Sequence, residues 1–132
     1  MEMSIDVTLS GSMDEVIDRV TGVLKEEGFG ILTRINVDTT LKTKIDVDFR
    51  PYVILGACNP KLAHQALVAR PDVGLMLPCN VVVDQVAEGT CLVRFIDPAA
   101  MMSFGDLGND EALVAIGAQA GAKIAKAAAA LS

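Results

Sequence analysis

The sequence predicts a single α+β domain, in which one mixed or antiparallel sheet carries its helices mainly on one face. Its 132 residues suit one domain whose core needs neither a disulfide nor a structural metal. Hydrophobic residues make up 52% of the chain and charged residues 21%, which excludes an intrinsically disordered protein. Strand-like and helix-like patterns follow one another in the order β-α-β-α-β-α-β-β-α over residues 1–132, without a linker or internal repeat.

The first strand and helix have the clearest patterns. Apolar and polar residues alternate over residues 3–9, which predicts a half-buried strand. Ser12 and Glu15 form the capping box that opens many helices, and apolar residues then recur at helical spacing up to Gly28. A second strand over residues 31–37 is expected to pair with the first.

A strand and a helix meet in the middle of the chain. The continuous apolar run from Tyr52 to Ala57 predicts a strand that is buried on both faces and central in the sheet. Asn59 is a typical helix cap, and Pro60 suits the first helical position because it has no N–H to satisfy. A helix is therefore expected to begin there. Asp38 is expected to cap a short helix before the strand.

Further strands are expected in the second half of the chain. Residues 73–77 and 80–83 are both strand-like, and Pro78 separates them. Since proline removes a ladder hydrogen bond, Pro78 is expected at a sheet edge or a bulge. Residues 90–96 predict a last strand, which forms a hairpin with the preceding one through the turn at Glu88–Gly89.

A helix over about residues 109–131 is predicted to close the domain. A short turn that begins at Asp97–Pro98 precedes it and reaches Met101 and Met102. Gly117 and Gly121 lie four residues apart and so share a face of this helix. That face is expected to pack closely on the sheet or on another subunit.

Charge and composition exclude two classes of partner. The net charge of −6 and the pI of about 4.6 disfavour nucleic acid and anionic membranes. No apolar run approaches the roughly 20 residues that span a bilayer. The N-terminus lacks the pattern of a signal peptide, and the three cysteines, an odd number, suggest reduced thiols. A cytoplasmic location is therefore expected.

The best candidate site is the junction that contains Cys58. A helix N-terminus lowers the pKa of a nearby thiol, which would suit a nucleophile, whereas a free cysteine is also often a small buried hydrophobe. His64 lies one turn into the same helix. The pair Cys79–Asn80 repeats the pair Cys58–Asn59 and meets it if the two strands are neighbours. We therefore expect Cys58, Asn59, His64, Cys79 and Asn80 to form a binding site.

A metal site is not expected. Two thiols and an imidazole would suit Cu(I) or Zn(II). However, Cys58, His64 and Cys79 are spaced by 6 and 15 residues, which matches no zinc-finger pattern. Met101 and Met102 are soft ligands or gap-filling side chains, and gap-filling is the expected use. No cofactor is expected either.

Two segments together resemble a known family. Tyr52–Pro60 and Gly74–Val83, with Thr40–Lys42 before them and Asp97–Pro98 after them, are similar to the uncharacterised prokaryotic family known as domain of unknown function 302. The resemblance covers about residues 15–102. It implies a compact α/β domain that is commonly a homodimer and has no established activity, and it implies no catalytic residues.

Three functions are therefore open from the sequence. The first is a homodimeric module that binds a small ligand or a partner near Cys58. The second is a redox or group-transfer enzyme with Cys58 as the nucleophile. The third is a structural module that dimerises through the C-terminal helix, residues 110–132.

Overall fold

The fold consists of one five-stranded sheet and the helices packed on it. A computed structural model describes residues 2–132. The strands are β1 (Ser4–Ser10), β2 (Gly30–Asn36), β3 (Tyr52–Cys58), β4 (Cys79–Ala87) and β5 (Thr90–Ile96). The α-helices are α1 (Met13–Glu26), α2 (Val37–Ile45), α3 (Pro60–Ala69), α4 (Pro98–Met101) and α5 (Glu111–Ala129). Two 3-10 turns cover Pro71–Met76 and Gly105–Asn109.

The sheet is antiparallel throughout and has the order β1-β5-β4-β3-β2. The predicted α+β class is therefore confirmed, but the predicted pairing of the first two strands is wrong. β1 pairs with β5 and β2 with β3, so the two lie at opposite edges. The 14 residues of α1 span about 21 Å, which matches the roughly 19 Å width of five strands. The helix carries the chain across the sheet.

Two other expectations about the strands are corrected. The central strand is β4, not β3, and Tyr52 and Ile54 of β3 are only half-buried, on the face away from α1 and α5. Residues 73–77 form no strand, since Pro71 opens a 3-10 turn there. Pro78 lies just before β4 and outside the ladder, so it needs neither an edge nor a bulge.

The predicted helix caps at Ser12 and Asn59 are present: Ser12 accepts a hydrogen bond from the Glu15 N–H at 3.2 Å, and Asn59 accepts one from the Leu62 N–H at 3.3 Å. Asp110 caps α5 by accepting from the N–H groups of Ala112 and Leu113. The expected cap at Asp38 is wrong: α2 begins at Val37, so its capping position is Asn36, two residues before Asp38, and Asn36 makes no side-chain capping bond.

The main core lies between one face of the sheet and the helices α1 and α5. Its members are fully or almost fully buried, and they include Val16, Val20 and Leu24 of α1, Ile124 of α5, and Leu55, Val81, Val83, Val93 and Phe95 of the strands. Burying each such side chain contributes about 1.5–3 kcal/mol. This packing fixes the ends of β3 and β4, where the site residues lie.

The opposite face of the sheet carries neither α1 nor α5. Strand alternation and the observed register place several side chains near the middle of this face, and we call the surface that they form the open face: Asp6, Thr8, Tyr52, Ile54, Val82, Asp84, Leu92 and Arg94. Ile54, Val82 and Leu92 are half-buried there. Among the described helices, none is long and apolar enough to cross a membrane.

The two glycines of α5 pack against α4 of the same chain. A Cβ atom at Gly117 would lie 2.8 Å from Cβ of Met102 and 3.0 Å from the Pro98 carbonyl oxygen. A Cβ atom at Gly121 would lie 3.1 Å from Oδ1 of Asp97. The close approach expected of this helix face therefore occurs within the chain, at the turn that holds the two methionines.

Candidate functional site

An apolar cavity lies at the end of the sheet where β3 finishes and β4 begins. Its volume is about 30 Å³, and α3, α4 and α5 close its sides. The residues at its wall include Cys58, Asn59, Leu62, Cys79, Met101 and Met102. This is the place where the sequence predicted a site.

Cys58 and Cys79 both line the cavity. The register pairs Cys79 with Ala57, the residue directly before Cys58, and both cysteines are among the residues that line the cavity. Burial raises the pKa of the half-buried Cys58 thiol. Burial, and to a smaller extent a charge on Cys58, raises the pKa of Cys79 to about 11. Both groups are therefore neutral thiols near pH 7.

The raised pKa of Cys58 is opposite in direction to the one expected beside a helix N-terminus. The physical reason is that Asn59 already satisfies that terminus. Its Oδ1 accepts from the Leu62 N–H at 3.3 Å, and its carbonyl oxygen accepts from the Ala63 N–H at 2.9 Å. Since Pro60 has no N–H, little of the helix terminus is left to stabilise a thiolate, and desolvation dominates.

Asn59 also ties two helices together. Its Nδ2 donates to the carbonyl oxygen of Glu27 at 3.4 Å, directly after α1. Gly28 has a φ of 83°, and a Cβ atom there would lie 3.0 Å from this Nδ2. The side chain of Asn59 thus has a structural role at the rim of the cavity.

His64 and Asn80 do not join the site. Leu62 and Ala66 are the buried positions of α3, and His64 between them is exposed. Asn80 pairs with Gly56, so it lies on the sheet face opposite Cys79 and lines a separate groove beside Leu75 and Pro78. Among residues 2–132 no group of three His, Cys, Asp or Glu side chains is placed to hold a metal ion.

Met101 and Met102 complete the wall of the cavity, although they were not expected at the site. Both side chains are buried, at 5% and 3% exposure. Asp97 caps their short helix by accepting from the Ala99 N–H at 2.9 Å, and Gly117 of α5 lets that helix approach closely. The cap at Asp97–Pro98 and the glycine at 117 were both visible in the sequence, but their contact was not.

A polar cleft adjoins the apolar cavity. Its volume is about 520 Å³, and it shares Asn59 and Leu62 with the cavity. The remaining walls carry acidic, basic and amide side chains, among them Glu26, Glu27, Lys61, Gln65, Gln119 and Lys123. Asn59 and Leu62 therefore form the boundary between a polar compartment and an apolar one.

A buried carboxylate lies elsewhere, on the open face. Asp84 is 1% exposed and accepts two hydrogen bonds from Arg50, at 2.7 and 3.1 Å, and one from Arg94 at 2.9 Å. The two hydrogen bonds from Arg50, and then the one from Arg94, lower the pKa of Asp84 against the effect of burial. Phe49 packs under the Arg50 guanidinium at 4.7 Å from its ring centre.

Comparisons with known proteins agree on one family. The family model described as domain of unknown function DUF302 matches residues 5–131. The crystal structure of an uncharacterized conserved protein DUF302 from Bacillus stearothermophilus is similar to this chain, with a TM-score of 0.87 and 34% identity over 100% of each chain. No curated protein matches.

Proposed function

We propose that this chain, which belongs to the DUF302 family, a domain of unknown function, binds a small ligand where the apolar cavity lined by Cys58 and Cys79 adjoins the polar cleft. One observation carries this proposal: an apolar cavity and a polar cleft of about 520 Å³ meet at Asn59 and Leu62. Ligand sites typically combine apolar walls with a few polar groups, and their volumes are about 300–1,000 Å³.

The alternative of a thiol-dependent enzyme has less support. Such an enzyme needs a thiolate at neutral pH, whereas burial raises the pKa of both thiols at the cavity. His64 is exposed on α3 and does not line the cavity, so it is not placed to serve as a base for Cys58. These observations favour binding over nucleophilic catalysis.

We further propose that the protein is a cytoplasmic homodimer whose subunits meet through the open face. Ile54, Val82 and Leu92 are half-buried apolar side chains on a face without α1 or α5, and α2 beside this face has no buried residue. An uncovered apolar sheet face is typical of an interface. Asp84 is already neutralised by its two arginines, so the contact would not bury an unpaired charge.

The ligand proposal is tested by thermal-shift screening of small organic compounds against three proteins: wild type, Ala63→Leu and Ala69→Leu. Ala63 lines the cavity, whereas Ala69 is exposed on the same helix. A ligand at ten times its Kd should stabilise wild type and Ala69→Leu by about 1.4 kcal/mol. The Ala63→Leu variant should fold and lose this gain. Equal stabilisation of all three proteins would place the ligand elsewhere and contradict the proposal.

A further inference from the structure

The side chains at the cavity form an unusual donor set. Nearly all of them are apolar, and four carry sulfur: Cys58, Cys79, Met101 and Met102. The one side chain with nitrogen and oxygen is Asn59, whose amide is already bonded to Leu62 and Glu27. Sulfur is therefore the only type of available side-chain donor among the residues that line the cavity.

The size of the cavity restricts its occupant. A volume of about 30 Å³ equals that of about one water molecule. A water molecule needs two to four polar partners, and the cavity wall does not offer them. A single ion that prefers sulfur is both small enough and chemically suited to this wall.

We propose that the cavity is a soft-metal site that binds Cu(I) through Cys58 and Cys79, with Met101 and Met102 as thioether ligands. This inference rests on the proposed binding function and names its ligand. Thiolate and thioether sulfur select Cu(I) among biological metals, whereas harder ions prefer nitrogen and oxygen. The third cysteine, Cys91, lies under α1 with its sulfur 3.7 Å from that of Met13, and it does not line the cavity.

The binding step balances in charge. Cysteine binds a metal as its thiolate, so Cu(I) displaces one proton from each of the two thiols. Two Cys–SH groups and Cu⁺ then give a Cys–S–Cu–S–Cys unit with a charge of −1 and two H⁺. The two thioethers add donors without adding further charge, which limits the cost of placing the complex among apolar walls.

The test is an anaerobic titration of the full chain with Cu(I) against a chromophoric Cu(I) chelator, compared with Zn(II). Wild type should retain one Cu(I) per chain and bind Zn(II) more weakly. Cys58→Ser and Cys79→Ser should each weaken Cu(I) binding by about tenfold or more. Cys91→Ser is the matched control and should bind as wild type does.

The variants Met101→Leu and Met102→Leu keep the test decisive if a serine variant fails to fold, since leucine conserves the packing of methionine. They should stay folded and bind Cu(I) more weakly. Failure of wild type to retain Cu(I), or an equal loss in Cys91→Ser, would overturn the metal assignment. If wild type fails to retain Cu(I) while an organic compound stabilises Ala69→Leu and not Ala63→Leu, that result would support the proposed binding function and contradict only the metal assignment.

Discussion

Asp84 is a charged residue that the chain buries on a sheet face without a covering helix. Its two arginines are about half exposed, at 49% for Arg50 and 37% for Arg94, so they shield the carboxylate while their own charges reach solvent. Removing one member of a buried charge-assisted hydrogen-bond set leaves its partners unsatisfied. Asp84 should therefore contribute to stability.

Asp84→Asn should lower the free energy of unfolding by about 1–3 kcal/mol at pH 7, since charge-assisted hydrogen bonds are lost. Urea unfolding measures the change. Asp6→Asn, on the same face but exposed, is the control and should change stability by less than about 0.5 kcal/mol. Equal effects of the two substitutions would contradict the role given to Asp84.

The effect of Asp84 should also depend on pH in a defined direction. Its pKa is lower in the folded chain than the unfolded value of about 3.9. The stabilisation is therefore present above about pH 4 and is lost as the pH falls through the folded pKa. The difference between wild type and Asp84→Asn should shrink below about pH 4. A difference that stays constant down to pH 2 would argue against this linkage.

Cys58 should react slowly at neutral pH. Burial raises the pKa of its thiol, and the Leu62 N–H at the start of the adjacent helix already donates to Asn59. Iodoacetamide labelling followed by mass spectrometry should give a midpoint above about 8.5, the value of a free thiol. A midpoint near 7 would restore the thiol-enzyme hypothesis.

At the scale of elements, the sequence predicted the features that depend on neighbouring residues, such as helix starts, better than the pairing of distant strands. The helix starts at Ser12 and Asn59 were predictable because capping depends on residues two or three apart. The pairing of β1 with β5 was not predictable, because it depends on the position at which the chain enters β2 after α1 has crossed the sheet. The 3-10 turn after Pro71 resembled a strand because it is equally apolar.

The candidate site shows the same difference between local features, which the sequence predicts, and features set by packing. Cys58 and Cys79 were predicted to meet if their strands are neighbours; β3 and β4 are paired, and both cysteines line the same cavity. His64 and Asn80 were assigned to the site by proximity along the chain. Their exclusion depends on which way a helix face and a strand face point, and that is set by packing.

The approach of α5 to α4 yields a prediction about glycine. In an open helix, Gly→Ala stabilises by about 1 kcal/mol. At Gly117 the new Cβ would contact Met102 and the Pro98 carbonyl, so Gly117→Ala should instead destabilise by about 1–3 kcal/mol. Gly22→Ala in α1, where nothing lies within 4 Å, is the matched control and should stabilise. Thermal melts compare the two. Stabilisation in both would show that α5 does not need its glycine.

At the scale of the whole molecule, the proposed dimer determines which surfaces are available. If the open face is the interface, the cavity at the ends of β3 and β4 remains on the side covered by α3 and α5, away from the contact. Two binding sites per dimer would then be independently accessible. The α5 helix, whose glycines pack on α4, is not needed for the contact.

Light scattering after size-exclusion chromatography should give twice the 13.9 kDa mass of one chain. Ile54→Lys places a charge in the middle of the open face and should yield monomers with an intact fold. Val68→Lys, at a residue of α3 that is 72% exposed, should remain dimeric. A wild-type monomer, or a dimer unaffected by Ile54→Lys, would contradict the proposed interface.

The central claim, that the cavity at Cys58 and Cys79 is a binding site, is tested most directly by NMR of the protein labelled with ¹³C in its methionine methyl groups. Met101 and Met102 line the cavity, whereas Met3 and Met13 lie elsewhere and serve as internal references. Addition of Cu(I), or of a compound found in the thermal-shift screen, should shift the Met101 and Met102 signals in a saturable way and leave the references in place. Saturable binding that leaves both cavity signals unchanged would contradict the claim.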